Sequence, residues 1–109
     1  MPIVLIIEDN PINRDVLGRR LEKRVYSVRF AEDGPSGIEA AERLMPDVIL
    51  MDIGLGELMD GWEATRQIKG RASTTNIPII ALTASAFESD RRNSLAAGCC
   101  DFDTKPVDL

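Results

Sequence analysis

Short apolar runs, separated by longer amphipathic segments, dominate the pattern of the chain. The runs are Ile3 to Ile7, Val28 to Phe30, Val48 to Met51, Ile77 to Leu82 and, more weakly, Cys99 to Phe102. The first, third and fourth are nearly continuous in Ile, Val and Leu, which is typical of strands buried on both faces of a parallel sheet. The pattern therefore predicts five strands, with helices needed on both faces.

The intervening segments carry apolar residues at helical spacing. The first predicted helix follows Asn10-Pro11, and the second follows Asp33-Gly34-Pro35 and stops before Pro46. The other two cover about 62–69 and 88–97. The predicted inner faces of the first three are Ile12, Val16, Leu17 and Leu21; Ile38, Ala41 and Leu44; and Trp62, Thr65 and Ile68.

Strands and helices thus alternate along the whole chain. With right-handed crossovers, this alternation gives an α/β fold with a doubly wound sheet of five parallel strands. The flavodoxin-like strand order 2-1-3-4-5 is the common solution, and its ligand site lies beyond the carboxyl ends of strands 1 and 3. At 109 residues, the chain is expected to be one domain over 1–109.

The composition of the chain excludes several classes of function. The 13 basic and 18 acidic residues give a net charge of −5, the wrong sign for direct nucleic-acid binding. Without histidine there is no Ser-His-Asp triad, Cys-His pair or HExxH zinc site. The adjacent Cys99 and Cys100 are expected to be reduced, core-filling thiols. No apolar run could span a membrane, so we expect a cytoplasmic protein with no membrane partner.

Polar residues with complementary chemistry follow the predicted strands. Glu8 and Asp9 follow strand 1, Asp52 follows strand 3, Thr83 strand 4 and Lys105 strand 5. Each alone also fits an ordinary turn or helix cap, but all of them belong to one edge of the sheet. A dinucleotide site would instead have glycines after strand 1. The presence of all these polar residues at one edge of the sheet favours a functional site, and the lack of glycines after strand 1 argues against a dinucleotide site.

Three carboxylates at one switch point repel one another unless a cation is bound, most simply Mg²⁺, with Mn²⁺ as an alternative. Lys105, the Thr83 hydroxyl and the metal could together neutralise the oxygens of a phosphoryl group. Asp52, in the middle, is then the candidate nucleophile.

These residues resemble the receiver domain of two-component response regulators over nearly the whole chain. Val4-Leu5-Ile6-Ile7-Glu8-Asp9-Asn10 is similar to the first strand and acidic pair of the family. Pro46-Asp47-Val48-Ile49-Leu50-Met51-Asp52 is similar to its phosphoacceptor strand, with Met59-Asp60-Gly61 following. Ile79-Ile80-Ala81-Leu82-Thr83-Ala84 and Asp101-Phe102-Asp103-Thr104-Lys105-Pro106 match the fourth and fifth strands.

The resemblance implies a phosphoryl-accepting switch. Asp52 would take the phosphoryl group from a sensor histidine kinase or a histidine phosphotransfer protein, and a downstream effector protein or domain would respond. Glu8, Asp9, Asp52 and the Gly54 carbonyl would hold Mg²⁺. Thr83 and Lys105 would bind phosphoryl oxygens, Phe102 would turn inward as Thr83 moves, and Gly54 and Ser85 would tune the lifetime.

The chain departs from the family in three places. Gly56 replaces a common proline in the loop after Asp52, which is one residue longer, and predicts a looser loop. Val25 stands where a glycine often ends the first helix, which predicts a different helix end. Receivers usually continue into a fifth helix, which is expected to be missing within residues 1–109.

Two other functions remain open at this stage. A phosphorylation-independent binding module with a receiver-like fold is one. The other is a Mg²⁺-dependent phosphatase of the dehalogenase type, although the nucleophile of that family follows the first strand in a DxD motif, which Glu8-Asp9-Asn10 does not match. The switch is expected not to be a multiple-turnover enzyme on small molecules.

Overall fold

The computed structural model describes residues 2–24, 26–56, 58–83 and 88–104. In these residues five strands alternate with four helices. The strands are β1 (Ile3–Ile7), β2 (Ser27–Ala31), β3 (Val48–Asp52), β4 (Ile79–Thr83) and β5 (Asp101–Thr104). The helices are α1 (Pro11–Glu22), α2 (Gly34–Leu44), α3 (Gly61–Lys69) and α4 (Glu88–Ala97). The predicted alternation is confirmed.

All strands pair in parallel in the order β2-β1-β3-β4-β5, as the sequence predicts. The three central strands are almost completely buried, because helices cover them on both faces. One core cluster includes Ile49, Met51 and Ile68, and the other includes Ile6 and Leu17.

Side-chain caps fix the start of three helices, two of them soon after a strand ends and the third after a longer loop. Asn10 accepts hydrogen bonds from two backbone N–H groups of α1, Asp33 from that of Ser36 in α2, and Asp60 from that of Glu63 in α3. Such caps satisfy N–H groups that have no partner within the helix. The helices therefore begin at the carboxyl edge of the sheet, where the ligand site is expected.

The predicted inner face of α1 is wrong in part. Leu17 and Leu21 are buried, but Ile12 is 72% exposed and Val16 is 39% exposed. Ile12 lies in the first turn of α1, which begins at the edge of the sheet, so little sheet surface lies beneath it. The inner faces of α2 and α3 are confirmed, with Trp62 half-buried.

The fifth strand begins later than its apolar run suggests, at Asp101 rather than Cys99. Cys99 is buried in the core, as expected, whereas Cys100 is exposed and fills no core position. Burial raises the pKa of the Cys99 thiol. Both cysteines are free thiols.

Two predictions concern parts of the chain outside the described residues. Val25 lies outside them, although α1 ends before it at Glu22 with Lys23 as its cap. The absence of a fifth helix within residues 1–109 concerns residues after Thr104, so this boundary stays a prediction. Within the described ranges, no helix is both long and apolar enough to cross a membrane.

Candidate functional site

The register of the sheet brings the predicted acidic residues together. Ile7 of β1 pairs with Met51 of β3, so Glu8 and Asp52 follow at the same level on neighbouring strands. Both side chains are buried, with residue exposures of 1% for Glu8 and 5% for Asp52, whereas Asp9 is exposed. The edge thus combines two buried carboxylates with one that faces solvent.

The carboxylates of Glu8, Asp9 and Asp52 each offer an oxygen, and these atoms lie within 4.8 Å of one another. Like charges at about 4 Å repel by about 4 kcal/mol per pair in a partly screened protein environment. Carboxylate oxygens are also the ligands that Mg²⁺ and Ca²⁺ prefer. The donor set and its burial therefore fit a hard divalent cation.

The same edge forms an open pocket of about 430 Å³. Asp52 and Thr83 both line it, because β3 and β4 pair through Asp52 and Leu82, and Thr83 is the next residue along β4. Thr83 is buried, at 6% exposure. The pocket thus places a hydroxyl and a carboxylate at the surface of one cavity.

Backbone contacts hold Asp52 and the start of the following loop. The Gly54 N–H donates to Asp52 Oδ1 at 2.9 Å, and the Ile53 N–H donates to the Leu82 carbonyl at 3.0 Å. Leu55 is buried in the core, so the loop is anchored before the exposed Gly56. The greater looseness expected around Gly56 stays a prediction.

The return of the loop to the sheet requires a glycine at position 61. A Cβ atom there would lie 2.3 Å from the Asp52 carbonyl oxygen, closer than real Cβ contacts allow. The first residue of α3 therefore packs directly against the backbone of the candidate nucleophile. The position of Asp52 depends on this close approach.

Sequence reasoning missed several residues of the pocket. Asn13, Trp62 and Asp90 line it together with Asp52. Arg14 lies nearby, and its Nη1 donates to the Glu8 carbonyl at 2.9 Å. All four belong to the early turns of helices that begin at the carboxyl edge. Ligand sites of parallel sheets lie beyond the carboxyl ends of the strands. Searching the first turns of the helices at this edge, as well as the strand ends, would have found these four residues.

The remaining predicted residues lie elsewhere or outside the described ranges. Phe102 is half-buried on β5 and packs against the larger core cluster, at the level of Ala81 on β4. Gly54 is in the pocket wall. Lys105 and Ser85 lie outside the described residues, so the structure brings together Glu8, Asp9, Asp52, Gly54 and Thr83.

Comparison with known proteins agrees with this geometry. The family model described as the response regulator receiver domain matches residues 4–109. The chain is 40% identical over 108 residues to protein PilH of Pseudomonas aeruginosa, covering 99% of this chain and 88% of PilH. By contrast, it spans 23% of the response regulator PleD of Caulobacter vibrioides, to which it is 36% identical.

Two solved structures are similar over almost the whole chain. The receiver domain of the sensor histidine kinase PA1611 from Pseudomonas aeruginosa, with magnesium in its active-site cleft, has a TM-score of 0.89 and 41% identity. The coverage is 98% of this chain and 87% of that one.

The second is the receiver domain of Ssk1 from Saccharomyces cerevisiae, solved in a complex with the histidine phosphotransfer protein Ypd1. It has a TM-score of 0.87 and 36% identity, with coverage of 99% and 81%. Sequence, sheet order and acidic pocket agree, and the chain belongs to the response regulator receiver domains of two-component signalling.

Proposed function

We propose that Asp52 is the acceptor of a phosphoryl group delivered by a partner phosphohistidine. A carboxylate oxygen of Asp52 attacks phosphorus, an O–P bond forms, and the P–N bond to the imidazole breaks. Water later attacks the same phosphorus, releases inorganic phosphate and restores the carboxylate. Each cycle consumes one phosphoryl donor and resets the switch.

Glu8, Asp9 and Asp52 would hold Mg²⁺ or Mn²⁺ through carboxylate oxygens, and the Gly54 carbonyl would complete the set. When bound, the metal neutralises charge on the phosphoryl oxygens. The carboxylate oxygens within 4.8 Å of one another support this assignment. Magnesium in the cleft of the similar PA1611 receiver supports it as well.

The other residues have roles in binding and switching. Thr83 would donate its hydroxyl to one phosphoryl oxygen, and Lys105 would bind another with its ammonium group. Phe102 would turn inward as Thr83 moves toward the phosphoryl group, which changes the surface that a partner contacts. Gly54 and Ser85 would tune the lifetime of the phosphorylated state.

One observation carries this proposal above the others. The buried Asp52 shares one open pocket with Asp9 and Thr83, so a phosphoryl group from solvent can reach it beside a cation site and a hydroxyl. Electrostatic positioning of this kind is what phosphoryl transfer needs most from a protein. A pocket of this composition also suits a switch better than an enzyme that must enclose a small substrate.

The partners follow from the same chemistry. The donor would be a sensor histidine kinase or a histidine phosphotransfer protein, and the similar Ssk1 receiver domain is solved in a complex with a protein of the second kind, Ypd1. The output would pass to an effector protein or domain rather than directly to nucleic acid, in keeping with the net charge of −5. We assign the chain to the cytoplasm and to a single domain over 1–109.

Intact mass after incubation with a small phosphoryl donor tests the proposal. The wild type should gain one phosphoryl group in the presence of Mg²⁺ and none after chelation. Asp52→Asn should gain none under either condition, whereas Asp47→Asn, which removes a carboxylate at the opposite end of β3, should behave as the wild type. Modification of Asp52→Asn, or an unmodified wild type, would contradict the proposal.

A further inference from the structure

The turn between β1 and α1 carries the acidic pair, and Arg14 bonds to this turn on both sides of Asp9. The Arg14 Nη1 donates to the Glu8 carbonyl at 2.9 Å, and the Arg14 backbone N–H donates to the Asn10 carbonyl at 3.0 Å. Glu8 and Asn10 are the neighbours of Asp9 in the chain. Arg14 of α1 thus brackets the backbone of Asp9 with these hydrogen bonds.

The Glu8 carbonyl lies where the strand pairing of β1 ends. The ladders of β1 with β2 and with β3 both stop at Ile7, so Glu8 is the first residue beyond them. The Glu8 N–H still donates to the Ala31 carbonyl at 3.0 Å, whereas its carbonyl accepts from the half-buried Arg14 side chain. A side-chain hydrogen bond therefore fixes the peptide group that joins Glu8 to Asp9.

We propose that Arg14 is a positioning residue for the divalent cation at the Asp52 pocket, acting through the backbone that orients the Glu8 and Asp9 carboxylates. This inference rests on the cation site of the proposed function. Arg14 is not itself a metal ligand, because a guanidinium has N–H donors and no acceptor. Its effect is on the geometry of the carboxylates that are.

The spacing of the ligands depends on this turn. The clustered oxygens of Glu8, Asp9 and Asp52 lie within 4.8 Å of one another. Asp52 is held separately, because it ends β3 and its Oδ1 accepts from the Gly54 N–H. A shift of the acidic turn therefore moves Glu8 and Asp9 relative to Asp52 and changes the shape of the site.

Mg²⁺ is more sensitive to such a change than Ca²⁺. Mg²⁺ demands near-ideal octahedral coordination, whereas Ca²⁺ accepts a flexible arrangement of oxygen ligands. Release of the turn should therefore weaken the binding of Mg²⁺ more than that of Ca²⁺. This difference between the two cations is a signature of lost geometry.

The charge of Arg14 acts against its hydrogen bond. The guanidinium repels a nearby cation, so loss of that charge alone would strengthen the binding of both divalent cations. Loss of the hydrogen bond weakens binding, because the carboxylates are no longer held in place. The other charges that the structure or the proposed function places at the site, those of Asp90 and Lys105 included, are the same in every protein compared. The sign of the change in affinity thus distinguishes positioning from electrostatics.

Calorimetric titration of the chain with MgCl₂ and with CaCl₂ tests the inference. Arg14→Met keeps much of the aliphatic stem and removes the donor and the charge. It should raise the dissociation constant for Mg²⁺ about tenfold, the scale typical of lost contacts that orient metal ligands, and that for Ca²⁺ only about twofold. Arg14→Lys keeps a donor and the charge, so it should recover part of the affinity for Mg²⁺.

Arg19→Met is the matched control. It removes the same charge from the same helix, at an exposed side chain that pairs with Asp15, so it should leave both dissociation constants unchanged. Urea denaturation shows whether each variant is folded. Arg14→Ala, which has the highest helix propensity, replaces Arg14→Met in the comparison if that variant does not fold.

The outcomes separate this inference from the proposed function. If the wild type binds Mg²⁺ and Arg14→Met binds it equally or more tightly, the role of Arg14 is overturned and the cation site stands. Equal weakening for Mg²⁺ and Ca²⁺ would overturn the geometric basis of the role. A wild type that binds neither cation would overturn the cation site and this inference together.

Discussion

The interior of β3 and its last residue are adjacent in sequence and opposite in energetics. Ile49 and Met51 are completely buried and stabilise the fold by about 25 cal/mol per Å² of apolar surface. Asp52 is almost as buried but has a carboxyl side chain, and burying such a group costs free energy that hydrogen bonds or a cation must offset. The apolar interior of the sheet thus stabilises the fold, whereas the buried carboxylates at its carboxyl edge, where the chemistry lies, destabilise it.

The largest expected effect on the free energy of unfolding comes from creating a cavity in the hydrophobic core. Ile68 is fully buried in the larger core cluster, and Ile68→Ala should lower the free energy of unfolding by about 2–5 kcal/mol. Urea denaturation measures the change. Ile12→Ala, at a side chain that is 72% exposed, should cost less than about 0.5 kcal/mol.

The folded fraction of Ile68→Ala should still accept a phosphoryl group with the same Mg²⁺ requirement, because Ile68 does not line the pocket. Equal losses of stability in the two variants would show that the core is not where the structure puts it. A folded but inactive Ile68→Ala would show that the core and the carboxyl edge of the sheet do not have separate roles in stability and chemistry.

Metal binding should make the clustered carboxylates at the carboxyl edge stabilise the fold, which they destabilise without the metal. A ligand that binds only the folded state stabilises it by about 2.7 kcal/mol at a hundred times its dissociation constant. Mg²⁺ should therefore raise the melting temperature of the wild type but not that of Asp9→Asn, which removes one of the three clustered carboxylates. An equal rise in both proteins would mean that the cation binds elsewhere.

Gly61→Ala tests the close contact between the first residue of α3 and the backbone of Asp52. Its Cβ would lie 2.3 Å from the Asp52 carbonyl oxygen, so overpacking should cost about 1–3 kcal/mol and slow phosphorylation at the same time. Gly56→Ala is the matched control, because its Cβ meets Asp9 Oδ2 only at 4.0 Å. Stopped-flow phosphorylation and urea denaturation report the two effects, and a fast, stable Gly61→Ala would contradict this packing.

The smallest effect is the pH dependence from the cap of α2. Hydrogen bonds from the Ser36 backbone and side chain hold the pKa of Asp33 below its usual range. Because this pKa is lower in the folded state, the stabilisation is present above the ordinary carboxyl pKa and is lost as pH falls through the folded value.

Asp33→Asn keeps a good capping side chain but cannot titrate. The difference in stability between wild type and Asp33→Asn should therefore change only at acidic pH, and by well under about 1 kcal/mol, since the side chain is solvent-accessible. Denaturation midpoints at neutral and acidic pH measure it. A constant difference across that range would show that the cap does not depend on the charge of Asp33.

The fold was predictable from sequence because burial on two faces leaves a clear signature. The continuous runs at β1, β3 and β4 identify the centre of the sheet, and the strand ends identify Glu8, Asp9 and Asp52 as neighbours. The fifth strand was misplaced by two residues because Cys99 is apolar and buried without belonging to a strand.

Residues outside the periodic pattern were harder to place. Ile12 has the helical spacing of an inner residue, but only the position of α1 relative to the sheet edge shows that it is exposed. Asp90 carries no motif, and its place in the pocket depends on how α4 packs against Trp62. Tertiary packing, rather than local pattern, determines both.

Chemical localisation of the phosphoryl group tests the central claim most directly. Borohydride reduces an acyl phosphate, so treating the phosphorylated protein with it marks the modified carboxyl group for peptide mapping by mass spectrometry. Reduction at Asp52 alone is the predicted result. Reduction at Asp9 or Glu8, with Asp52 unmodified, would contradict the account, because the buried carboxylate at the end of β3 would then serve the cation and not the phosphoryl group.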